Sequence, residues 1–175
     1  MRLFKKIDRL VGYTVIGLAH KFKPGLATGL IIRFYTRWGI RFIGTPNYIS
    51  AKVDFDGGNF SLIEIHEGAT ISSYVRVLTH DYALWTVGRE LVEGVERPRG
   101  ATKPVVIGPN SFIGTGSIVM PGAKIGRNCL IGAGTVVRGE IPDFSVVVGS
   151  PGRIIADTRD YVKKSLERLA DSGAA

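Results

Sequence analysis

Residues 107–137 read IGPNSFIGTGSIVMPGAKIGRNCLIGAGTVV. Within them Ile or Val recurs at every sixth position, at Ile107, Ile113, Val119, Ile125, Ile131 and Val137. Gly follows four of these, at Gly108, Gly114, Gly126 and Gly132, and a small residue stands four places after the first five, at Ser111, Ser117, Ala123, Cys129 and Thr135. A period of six matches neither a helix nor a flat alternating strand; it is the signature of a chain wound into a prism whose faces are short parallel strands. Three hexads make one triangular turn, so residues about 18 apart should stack at the inter-strand spacing of about 4.8 Å. The first position points inward, where stiff β-branched side chains pack well. The fifth lies in a cramped corner. The second is expected at the bend, where Gly adopts backbone angles barred to other residues. Cys129 occupies a small-residue slot and reads as an inert packing thiol. Asn110 and Asn128 share a turn position and read as structural.

Working outward, an earlier run of the period appears as Ile65, Ile71 and Val77, with Val53 two steps before Ile65. Asn59 stands where an apolar residue is expected, so the first coil is irregular. Between His80 and Lys103 the pattern vanishes into a charged stretch with Pro98 and Gly100, which reads as a loop at about 81–103 ejected from the prism. The repeat domain covers 46–155 and ends through Ile141-Pro142 and Val148-Gly149-Ser150-Pro151. In the remainder, 156–175, Tyr161, Val162, Leu166 and Leu169 share one helical face, and Asp157 or Thr158 caps the start. That helix is expected to close the open end of the prism.

The first 45 residues differ in kind. They hold nine basic side chains against Asp8 alone, whereas the other 130 hold equal numbers of each sign, so the whole net charge of +8 sits in this leader. Leu3, Phe4, Ile7, Leu10, Val11, Thr14, Val15 and Leu18 follow a helical face, and Gly29–Phe42 is a second basic, aromatic stretch after Pro24-Gly25. Two readings remain open: a helical pair packed on the end of the prism, or an interfacial pair lying on an anionic membrane. No run approaches the roughly 20 apolar residues of a membrane span, and no signal peptide is expected. The neutral body offers no groove for nucleic acid. A single cysteine fits a reducing, cytoplasmic setting.

The stretch quoted above, followed by IPDFSVVVGSPGRII and preceded by NFSLIEIHEGATISSYVRVLTHDY, resembles the hexapeptide-repeat acyltransferases, in the branch of maltose, galactoside and serine acetyltransferases and sugar O-acetyltransferases. The resemblance covers roughly 45–155. It implies an all-β, left-handed parallel β-helix with a helical leader and a short C-terminal helix. It also implies a homotrimer with active sites between subunits, acetyl-CoA as acyl donor, and no metal. Thr115-Gly116 and Ala133-Gly134 match turns where the family's backbone approaches pantetheine. Ser150 and Arg153 match the cofactor end, and Arg138 is a further candidate for the phosphates. Phe112 replaces a common Trp, and Gly152 a usual Ala or Cys.

Transfer from a thioester to a hydroxyl needs a base, an oxyanion site and positioning. His is the natural base, contributing about 10²- to 10⁴-fold. Of three histidines, His20 lies in the leader and His66 at a bend position. His80 stands where the repeat breaks, in a Thr-His-Asp that matches the family's proton-abstracting histidine. Asp81 is a candidate to orient it, although neighbours in a strand point to opposite faces. Tyr82 and Trp85 either wall a sugar pocket or anchor the loop. The expected activity is acetyl transfer to a saccharide hydroxyl. An amino sugar or other amine as acceptor, a zinc enzyme of the γ-carbonic anhydrase type (which needs a third histidine), and a non-catalytic trimeric scaffold on membranes are the alternatives.

Overall fold

The computed structural model describes residues 11–12, 14–19, 21, 24–56, 58–91, 93 and 101–172. Much of the leader, His20 included, lies outside them.

The hexads fold into a left-handed parallel β-helix. Its first face holds β1 (Arg41–Ile43), β4 (Ile63–His66), β9 (Val105–Ile107), β12 (Lys124–Ile125) and β15 (Glu140–Ile141). The second holds β2 (Tyr48–Ile49), β5 (Thr70–Ile71), β10 (Phe112–Ile113), β13 (Leu130–Ile131) and β16 (Ser145–Val148). The third holds β3 (Asp54–Phe55), β6 (Arg76–Val77), β11 (Ile118–Val119) and β14 (Val136–Val137). In the regular coils, Ile107 pairs with Ile125, Ile113 with Ile131 and Val119 with Val137, each 18 residues on. Every one of these six side chains is at most 2% exposed, as are Ser111, Ser117, Ala123, Cys129 and Thr135. The inward and corner positions are therefore as the period requires.

The second position needs Gly for a different reason from the one expected. Gly108, Gly114, Gly126 and Gly132 do not have positive φ. They are glycine because the next coil lies against them: a Cβ on Gly114 would stand 2.5 Å from the Ala133 nitrogen, and one on Gly108 2.5 Å from the Gly126 carbonyl oxygen. The left-handed residue is the fourth, with φ of 53° at Asn110 and Asn128, 71° at Gly116 and 68° at Gly134. Asn is among the few non-glycine residues that adopt this region readily.

Irregular coils mark where the prism is modified. Ile49 to Ile71 and Phe55 to Val77 are 22-residue steps. The excess folds into a 3₁₀ turn, Phe60–Leu62, and Asn59 interrupts the apolar period because its side chain caps that turn. Ile71 to Ile113 and Val77 to Val119 are 42-residue steps, so an arm of 24 residues beyond a regular turn leaves here. The arm is not the plain loop expected from sequence. Its base is an antiparallel pair of β7 (His80–Asp81) and β8 (Ala101–Thr102), and it carries helix α2 (Ala83–Leu91).

The two ends of the prism are finished differently. Helix α1 (Pro24–Trp38) buries Ala27, Ile31 and Tyr35 on the first coil, with Tyr35 edge-on to Phe55 and Phe60. Thr28 Oγ1 accepts the Ile49 N–H of the outermost strand, 3.2 Å away. The packing reading of the leader thus holds for α1. At the other end β17 (Arg153–Asp157) runs antiparallel to β16 and covers it. Helix α3 (Thr158–Asp171) starts from an Asp157 cap, as expected, but it does not close the prism with its apolar stripe: Tyr161, Val162, Leu166 and Leu169 stay exposed.

Candidate functional site

The first strong feature is at the edge between the third and first faces, where the arm departs. The irregular first coil brings Asp56 to the same edge, and His80 Nδ1 lies 2.5 Å from Asp56 Oδ2. The carboxylate is 7% exposed and the imidazole 38%. Asp56 also accepts from the Thr79 hydroxyl at 2.7 Å, the Thr79 N–H at 2.9 Å and the Gly58 N–H at 3.1 Å. Burial pushes its pKa up, but the Thr79, Gly58 and His80 hydrogen bonds together prevail and hold it at about 2. Asp56 is therefore an anion near neutral pH. His80 accordingly presents Nδ1–H to it and leaves Nε2 as the basic nitrogen.

Asp56 was not among the sequence candidates, and Asp81 was. Asp81 Oδ1 instead accepts the Ala83 N–H at 2.8 Å, capping α2. Alternation along β7 sends the two neighbours to opposite sides. The Tyr82 ring stands edge-on to His80, with centroids 5.0 Å apart, and is half exposed. Trp85 lies partly buried in α2, and its indole N–H has no hydrogen-bond partner among the described residues. His66 is not at a bend; it ends β4, with Nε2 2.7 Å from Glu64, which also pairs with Arg41. Among the described residues no group of three His, Cys, Asp or Glu side chains converges.

The expected cofactor residues gather on the other edge of the third face, between it and the second. Thr115-Gly116 and Ala133-Gly134 stack there in successive coils, joined by the Gly134 N–H donating to the Thr115 carbonyl at 2.8 Å. Gly116 N–H donates to the Ser73 carbonyl at 3.0 Å, so both glycine N–H groups serve the prism itself. Space beside both α-carbons is open. Ser150 and Arg153 continue this edge, and both are exposed. The Gly152 N–H donates to the Val136 carbonyl, and a Cβ there would lie 2.9 Å from that oxygen, so Gly at this position is a packing requirement. Arg138 does not join them: it follows β14 onto the His80 edge.

Residues 104–139 match the family model described as bacterial transferase hexapeptide (six repeats). A serine acetyltransferase of Bacillus subtilis strain 168 is 34% identical over 121 residues, covering 61% of this chain and 54% of that protein. A maltose O-acetyltransferase from Clostridium difficile 630 has the same fold, with a TM-score of 0.57 and 22% identity over 90% of this chain and 89% of that one. So does a galactoside acetyltransferase solved in complex with coenzyme A, with a TM-score of 0.57 and 23% identity over 90% and 84% of the two chains. The chain spans about half the length of the curated relatives it matches.

Proposed function

We propose that this chain, which belongs to the hexapeptide-repeat family, transfers an acetyl group from acetyl-CoA to a saccharide hydroxyl with His80 as general base. The observation that carries the reading is the Asp56–His80 pair at the point where the repeat breaks. Nε2 takes the acceptor proton as the oxygen attacks the thioester carbon, and Asp56 stabilises the imidazolium formed. Collapse of the tetrahedral intermediate breaks the C–S bond, and the imidazolium returns the proton to the departing thiolate. The half-exposed Tyr82 ring beside His80 supports a sugar-stacking wall. Thr115-Gly116, Ala133-Gly134, Ser150 and Arg153 would follow the pantetheine and phosphates along the open edge.

The two edges are separated by one face, and a six-residue face spans up to about 20 Å. Reacting atoms must come within about 3.5 Å. A homotrimer that sets the His80 edge of one copy against the glycine edge of the next satisfies both conditions. The basic leader supports a peripheral place on the cytoplasmic face of an anionic membrane. The test is thiol release from acetyl-CoA across a panel of saccharides and amino sugars. His80→Ala should abolish turnover with the competent acceptor, and near-normal turnover would sink the assignment.

A further inference from the structure

Helical residues 11–12 and 14–19 lie along α1, with Gly12 against the Phe34 ring, where no Cβ would fit. Between them opens a groove of ≈ 420 Å³ whose walls include Val11, Val15, Leu30 and Phe34, with Arg33 and Arg37 also lining it. Arg33 and Arg37 are four apart in α1 and so share a face. Apolar side chains of these two helical segments stay exposed: Val11 55%, Val15 46%, Leu18 55% and Leu26 57%. Leu30 and Phe34 are partly buried against the core that α1 meets through Ala27, Ile31 and Tyr35, while Val11, Val15, Leu18 and Leu26 remain exposed. Exposed apolar side chains beside a groove that Arg33 and Arg37 also line, in a segment that carries the whole charge excess, suit a contact that is both apolar and anionic.

We propose that this groove seats an acyl chain of an anionic phospholipid at a bilayer surface, with Arg33 and Arg37 on its headgroup phosphate. Charge complementarity selects the occupant: no acidic side chain among the described residues lines the groove, and the first 45 residues hold nine basic side chains against Asp8 alone. The inference rests on the peripheral-membrane reading of the leader and is independent of the acetyl-transfer chemistry. No helix among the described residues is long and apolar enough to cross a membrane.

The full-length protein should co-sediment with phosphatidylcholine vesicles that contain phosphatidylserine and only weakly with phosphatidylcholine alone. At about 1 kcal/mol per basic residue, Arg33→Gln with Arg37→Gln should weaken binding about thirtyfold. Val15→Asp, at a half-exposed position that folding tolerates, should weaken it about tenfold or more. Circular dichroism confirms that both variants fold. Wild-type protein that ignores the anionic vesicles overturns the membrane reading and the groove together. Wild-type binding that both variants retain overturns the groove alone. A lipid-free molecular mass that falls in Val15→Asp assigns the groove to contacts between copies and overturns the lipid.

Discussion

His80 and Asp56 are 24 residues apart in sequence, yet their side chains meet at 2.5 Å because adjacent coils bring them to one edge of the prism. If Asp56 sets the imidazole tautomer and stabilises the imidazolium, Asp56→Asn should lower kcat by about 10²- to 10⁴-fold and leave the KM for acetyl-CoA nearly unchanged. Asp81→Asn should cost far less, since Asp81 serves a helix cap. Equal losses in the two variants would remove the orienting role from Asp56.

The same carboxylate has a consequence for acid stability. Its folded pKa of about 2 lies below the ordinary 3.8, so the folded state binds this proton less readily than the unfolded chain. The stabilisation is complete above about pH 4 and disappears as pH falls through about 2. Its size is about 2 kcal/mol. Urea midpoints should therefore fall in wild type between these pH values more steeply than in Asp56→Asn. Parallel slopes would show that the carboxylate gains nothing on folding.

The period also makes opposite demands at two glycines of successive coils. Gly114→Ala puts a Cβ 2.5 Å from backbone and should destabilise by about 3 kcal/mol. Gly134→Ala meets open space and should cost only the left-handed conformation, about 1–2 kcal/mol. Denaturation at one fixed protein concentration ranks them, and a larger cost at Gly134 would contradict the stacking argument.

The prism was legible because every inward position repeats one constraint, a β-branched side chain in a triangular core, and repetition exposes the rule. Asp56 was not, because its coil departs from the period: the 22-residue step and the Asn59-capped turn hide which residues return to the His80 edge. Helix α2 left a readable trace, Leu84, Val87 and Leu91 at three- and four-residue spacing. The Pro, Gly and charges that follow it favoured a loop. Its apolar residues are 84%, 62% and 76% exposed, so burial in this chain could not have selected the helix.

Cys129 is 2% exposed, with its Sγ 3.1 Å from the Pro142 carbonyl, and burial pushes its thiol pKa up. It should resist thiol reagents until the protein unfolds, and Cys129→Ala should retain turnover. Rapid modification of the native protein with loss of activity would instead make the thiol part of the chemistry.

A site shared between copies predicts complementation. His80→Ala removes the base from one edge, while Gly134→Trp fills the open space on the other. Each variant alone should be inactive if each site draws one edge from each of two neighbours. Subunits mixed in equal amounts, unfolded and refolded together, assort at random. Each contact then joins an intact His80 edge to an intact glycine edge in about one case in four, so about a quarter of wild-type turnover should return. Sites confined to single chains would restore none, because every chain in the mixture carries one defect. The experiment therefore separates a site that spans the third face of one prism from one that closes only when a second prism is set against it.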